Sequence, residues 1–152
     1  MTRSDQFPRV SRRAIERIYI HCTATMPHHK FDMDDVTRWH KQQGWSDNGY
    51  HGGYLRDGRF QLGRHVDRAG AHVAGDNSKT LGFVFFGGLG SDNRPAPDYT
   101  KAQIKTAQRH LKVLQEQYPG IPIIGHRDKA GVVKACPSFN VRHWVETGEM
   151  TP

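Results

Sequence analysis

The run Arg17-Ile18-Tyr19-Ile20-His21 decides how this chain is read. Its alternation and its β-branched and aromatic residues predict a strand. That strand closes on an imidazole, followed by the small and hydroxyl residues Cys22-Thr23-Ala24-Thr25. A side chain at the end of a strand can project from a sheet edge into a cleft. The pattern recurs downstream, where Ile121-Pro122-Ile123-Ile124 predicts a short strand and His126 follows in Gly125-His126-Arg127-Asp128. Ten residues later Cys136 stands in Lys134-Ala135-Cys136-Pro137-Ser138-Phe139. Two imidazoles and a thiolate, with a fourth position for water, make an open tetrahedral zinc site of the catalytic kind. A structural site would need a fourth protein ligand, and the chain has no CxxC pair to supply it. Taken singly, each histidine is better explained as a satisfied core or surface residue, so spacing alone does not establish the set.

Working outward, Asp32 is placed to cap a helix with Asp34 and Asp35 in its first turn. Met33, Val36, Trp39 and His40 give that helix a stripe that stops at Gly44. Tyr50–Leu55 and Arg59–Leu62 flank Asp57-Gly58, which predicts a hairpin. Leu81–Phe86 is a continuous apolar run suited to a strand covered on both faces. Thr100-Lys101-Ala102-Gln103 reads as a capping box. Ile104, Ala107, Leu111, Leu114 and Tyr118 then share one helical face, which Pro119-Gly120 terminates. A last short helix is expected over Asn140–Thr147. Strands interleaved with helices indicate a single-domain α/β fold, a sheet flanked by helices. Residues 1–16 read as a polar arm and residues 17–148 as the catalytic domain.

With 152 residues and 36% hydrophobic content, the chain can bury one core but not two. No apolar run is long enough for a membrane-spanning helix. The first fourteen residues lack the apolar region of a secretory signal, so a cytosolic product is expected, exported by other means. Such a compartment argues against a Cys22–Cys136 disulfide, and Cys22 is expected to be a small buried residue. The net charge of +7 favours polyanions in general. The basic residues are scattered, however, and no nucleic-acid-binding motif appears, so a solvated basic surface is expected rather than specific nucleic-acid recognition.

Several separated segments carry a resemblance: His21-Cys22-Thr23-Ala24-Thr25, Trp39-His40-Lys41-Gln42-Gln43-Gly44-Trp45, Gly49-Tyr50-His51, Arg56-Asp57-Gly58, Gly70-Ala71-His72, Gly87-Gly88 and Lys134–Phe139. In this order and spacing the chain resembles the zinc-dependent N-acetylmuramoyl-L-alanine amidases, in particular the single-domain phage lysozymes of the T7 type. Their superfamily includes the peptidoglycan-recognition proteins. The resemblance implies a mixed sheet with a zinc cleft on one side, and one zinc held by His21, His126 and Cys136. It also implies catalytic roles for Tyr50 and Lys134, and substrate contacts from His72 and Asn77. Lys134 and Cys136 share a face if their segment is extended, which places an ammonium beside the metal. His51, next to Tyr50, points to the other face and is expected to be structural.

Two departures stand out. Gly52-Gly53 occupies a position where bulkier strand residues are expected, which would weaken the strand or widen the cleft. Arg127–Val133 is slightly longer than in the phage relatives. The activity implied is hydrolysis of the bond between N-acetylmuramic acid and L-alanine in bacterial peptidoglycan, by a monomer. An endolysin is the implied role, accumulating in the host cytoplasm and reaching the wall after a holin opens the membrane. A phage RNA polymerase is a second candidate partner, and a non-catalytic peptidoglycan-binding module is the competing class. Zincin-type proteolysis and nucleobase deamination are disfavoured, because neither the HExxH motif nor the paired H-x-E and P-C-x-x-C motifs occur.

Overall fold

The computed structural model describes residues 7–152 and contains one five-stranded mixed sheet with three α-helices packed on it. The strands are β1 (Arg17–Cys22), β2 (Gly52–Tyr54), β3 (Phe60–Leu62), β4 (Thr80–Phe85) and β5 (Ile123–Gly125), in the order β3-β2-β4-β1-β5. The helices are α1 (Met33–Gln42), α2 (Lys101–Gln117) and α3 (Val141–Thr147). β1 pairs in parallel with β4 and β5, and β2 in parallel with β4, while β2 and β3 are antiparallel. The expected α/β class and mixed sheet are both observed.

β1 sits between two parallel neighbours, and its alternation sorts its side chains onto opposite faces. Ile18, Ile20 and Cys22 join Leu81, Phe83 and Phe85 of β4 beneath α2 and α3, where Ala107, Leu114, Val141 and Trp144 complete the main core. Tyr19 packs on the other face against Val73 and Ile124. A second cluster on α1, Met33 and Val36 with Leu55, Val84 and Phe86, shows that β4 is covered on both faces. Burial of each large side chain such as Phe83 or Leu81 contributes roughly 1.5–3 kcal/mol.

Local chemistry explains the boundaries. Asp32 caps α1 by accepting from the Asp35 amide, and Gly44 beyond its end takes φ +92°, the left-handed conformation that suits glycine. The predicted strand at Ile121 begins two residues later, because Pro122 has no amide hydrogen to give to a ladder. Its carbonyl is still used, accepting from the Ile18 amide at 3.0 Å. Gly52 and Gly53 do not open the structure. A methyl group on Gly52 would lie 2.3 Å from the Phe60 ring, and one on Gly53 would lie 2.7 Å from the Met33 sulfur. The pair lets the sheet be packed closely on both faces.

Of the expected N-terminal arm, residues 1–6 lie outside the described residues. From Phe7 to Glu16 the chain has no helix or strand and runs over the domain. Phe7 stacks on His110 with ring centres 4.3 Å apart. Arg13 donates to the carbonyls of Val66, Ser78 and Thr80 at 3.0, 3.0 and 3.1 Å, tying the loops that carry Val66 and Ser78 to the start of β4.

Candidate metal centre and cleft

His21 is the fifth residue of β1, and its parallel register with Val84 puts its side chain on the face opposite the main core. β5 runs alongside β1 and ends at Gly125, so His126 emerges next to His21, their ring centres 4.7 Å apart. A single 3-10 turn, His126–Asp128, follows at once, and Asp128 secures it by accepting from the Gly125 amide at 2.8 Å. Cys136 arrives from the loop before α3. That loop is tied down by Tyr99 Oη donating to the Pro137 carbonyl at 2.6 Å and by Ser138 Oγ donating to the Gly88 carbonyl at 2.9 Å. One donor atom from each of His21, His126 and Cys136 lies within 4.8 Å of the other two.

The surroundings suit a cation. Burial holds the imidazoles of His21 and His126 below the usual histidine range, with the charge of Lys134 acting in the same direction, so both present neutral lone pairs near pH 7. The Cys22 amide donates to the Cys136 sulfur at 3.2 Å, a bond suited to a thiolate. The contact with Cys22 and burial push the Cys136 thiol up, while Lys134 pulls it down. Two neutral imidazoles and a sulfur are a donor set that zinc takes readily. Cys22 itself is buried among the core residues, as expected.

Tyr50 sits across from this cluster, its ring centre 5.1 Å from that of His21. Burial and the neighbouring Cys136 raise its phenol well above the usual tyrosine range, so it remains a hydrogen-bond donor. Lys134 lines a cleft of about 490 Å³ with Trp45, His72, Asn77, His126 and Val133 among its walls. The predicted residues thus gather in one place. His51 lies behind them: its Nδ1 accepts from the Gly82 amide at 3.1 Å and its Nε2 donates to the Arg68 carbonyl at 2.9 Å, a structural arrangement.

His72 and Asn77 line the cleft, yet most of their polar atoms face the protein. Asn77 Oδ1 accepts from the amides of His72 and Val73, both at 3.0 Å. The buried His72 ring meets His21, Nδ1 to Nε2, at 2.9 Å. Sequence reasoning missed Trp45 and Val133, which are 38% and 99% exposed at the rims of the cleft. The available signal was a tryptophan directly after the helix-ending Gly44. It also missed Arg13, whose role depends on loops far away in the chain.

A cleft with a basic side chain beside three donors that could hold a metal ion is an arrangement of the kind open-site metal hydrolases use. The sequence pattern of the N-acetylmuramoyl-L-alanine amidase family matches residues 11–139. Among curated proteins, the endolysin of Enterobacteria phage K11 is 37% identical over 139 residues, 91% of each chain. The endolysin of Escherichia phage T7 is 34% identical over the same share of both. Among solved structures, the N-acetylmuramoyl-L-alanine amidase LysC from Clostridium intestinale URNW superposes with a TM-score of 0.74 at 22% identity, covering 90% of this chain and 85% of that one. This chain belongs to the N-acetylmuramoyl-L-alanine amidase family and is a peptidoglycan amidase.

Proposed function

We propose that the chain is a zinc-dependent endolysin, with its catalytic chemistry confined to residues 17–148. The observation that carries this reading is the convergence of His21, His126 and Cys136 within 4.8 Å of one another, with His126 also lining a cleft that holds Lys134. These three residues would hold the zinc, which when bound polarises an amide carbonyl and lowers the pKa of water toward ~7. Lys134 brings its ammonium to the oxygen that gains negative charge as the amide carbon becomes tetrahedral. Tyr50, kept protonated by burial, donates a hydrogen bond to the same group. Trp45 and Val133 give the cleft apolar rims against which a stem peptide can lie. Asn77 retains its amide nitrogen for the substrate.

The family-matched positions supply imidazoles, a thiolate, a phenol and an ammonium, but no carboxylate pair of the kind a glycosidase needs about 5–9.5 Å apart. The bond cut is therefore the amide between the lactyl group of N-acetylmuramic acid and L-alanine. As a monomer made in the host cytoplasm, the enzyme would reach the wall after a holin opens the membrane. A polymerase partner finds no support in the fold or the relatives and forms no part of the proposal.

Digestion of purified peptidoglycan, read by mass spectrometry, tests this directly. Stem peptides with free L-alanine amino groups should appear, glycan strands should stay intact, and a chelator should stop the reaction until zinc is restored. New reducing sugar ends, or activity indifferent to chelation, would overturn it. Tight binding with no new amino groups would instead identify a recognition module.

A further inference from the structure

His72 was expected to touch substrate, but its surroundings describe a different task. Its ring lies nearly perpendicular to that of His21, at 84° with centres 4.9 Å apart, and its Nδ1 is 2.9 Å from His21 Nε2. The other nitrogen of His21, Nδ1, is the one that faces Cys136 Sγ, at 4.0 Å. A histidine that gives the Nδ1 lone pair to a metal must carry its hydrogen on Nε2, and that hydrogen needs an acceptor. His72 Nδ1 is in position to be that acceptor. The hydrogen of His72 then falls on Nε2, which faces Thr80 Oγ1 at 3.5 Å. Thr80 Oγ1 spends its own hydrogen on the Asp76 carbonyl at 2.6 Å, leaving its lone pairs toward His72. Every hydrogen in the row therefore points away from the metal centre, and no donor faces another donor.

The fold makes room for this ring at one position. β1 and β4 pair with Tyr19 opposite Gly82, two positions before the pair of His21 and Val84. A methyl group on Gly82 would lie 2.5 Å from the His72 ring, closer than atoms approach without displacement. The bare backbone of Gly82 is the seat on which the ring rests. Asn77 holds the loop above it through the His72 and Val73 amides.

The geometry points to His72 as a positioning residue that sets the tautomer and ring angle of His21, with Gly82 and Thr80 as its support, so that Nδ1 of His21 is presented to the metal. This rests on the zinc reading of the cluster. Residues that orient a metal-bound histidine commonly change metal affinity by 10–100-fold when replaced.

The test is zinc affinity, measured by competition with a chromophoric chelator. His72→Phe keeps the bulk but removes the acceptor, and should weaken zinc binding by about 10–100-fold. His72→Asn places an amide oxygen near the position of Nδ1 and should recover most of that loss. Gly82→Ala removes no polar group, yet should also weaken zinc by displacing the ring. Nitrogen-15 spectra of the wild-type imidazoles should show hydrogen on Nε2 of both His21 and His72, and His72→Phe should mix the His21 tautomers. Folded His72→Phe and Gly82→Ala proteins that bind zinc like wild type would overturn the assignment, as would a raised KM with unchanged zinc affinity, which would mark a substrate contact. Failure of the wild-type protein itself to bind zinc would overturn the zinc reading and this inference together, whereas the previous outcomes leave the zinc reading standing.

Discussion

Lys134 and Tyr50 are single side chains whose value depends on charge at one place. Lys134 lies close enough to hold down the ionisation of both His21 and His126, so its ammonium reaches the cluster without belonging to it. Removing one donor of this type costs on the order of 10²–10³ in rate. Lys134→Ala and Tyr50→Phe should therefore fold and keep their zinc but lose activity on that scale, measured as release of stem peptide. Wild-type turnover by Lys134→Ala would make the lysine an ordinary surface charge. His110 poses the opposite problem. It is buried among Phe7, Phe60 and Phe83, accepts from Tyr54 Oη at 2.6 Å, and is pushed by burial down to about 3. Folded protein keeps it neutral while the unfolded chain takes up a proton near pH 6.5, so its contribution is whole above 6.5 and is lost as pH falls toward 3. Urea unfolding between pH 7 and 4 should show this slope, and His110→Gln should reduce it by up to one proton, about 1.4 kcal/mol per pH unit. An unchanged slope in the variant would remove His110 from the acid sensitivity.

At the scale of elements, one buried side chain ties α2 to the ends of two strands of the sheet. Gln103 is fully buried; its amide donates to the carbonyls of Tyr54 and Phe86 at 2.7 and 2.8 Å, while its oxygen accepts from the Thr100 amide at 3.2 Å. It thus completes the capping box of α2 and satisfies the carbonyls at the ends of β2 and β4. Gln103→Ala strands the Phe86 carbonyl, at about 1–3 kcal/mol, and takes one of two bonds from the Tyr54 carbonyl, which keeps the Phe86 amide at 3.1 Å. Denaturant unfolding should show a loss of roughly 2–4 kcal/mol, and Gln103→Glu, lacking the donors, should not restore it. The capping box itself was legible in Thr100-Lys101-Ala102-Gln103, because a cap is a relation between residues three apart. The second use of Gln103 was not, because its partners lie 49 and 17 positions away.

For the whole molecule, metal and fold should be linked. A ligand bound only by the folded state adds about 4 kcal/mol at a thousand times its dissociation constant. In a domain of this size 1 kcal/mol moves the melting temperature by roughly 2–4 °C. Chelation should thus lower the melting temperature by about 8–16 °C, reversibly on adding zinc. Cys136→Ala should melt at the same temperature with or without chelator. Chelator-insensitive melting of the wild type, measured by calorimetry, would mean that the cluster holds no metal.

The residues proposed to do the chemistry were readable before any coordinates: His21 and His126 each follow a short apolar run, and Cys136 and Lys134 stand two apart. So were the main elements, because alternation, capping and turn glycines act over a few residues. The structure alone decided what stands behind those residues. The seat of His72 on Gly82, the turn of Asn77 toward backbone amides, and the grip of Arg13 on the 66 and 77–80 loops all join distant parts of the chain. Gly52-Gly53 read as a weak place for the same reason: a missing side chain becomes a packing site only when the Phe60 ring and the Met33 sulfur are brought against it. Local backbone preference and hydrophobic period are written in neighbouring letters, whereas the partner of a buried polar atom is set by which strands become neighbours in the sheet.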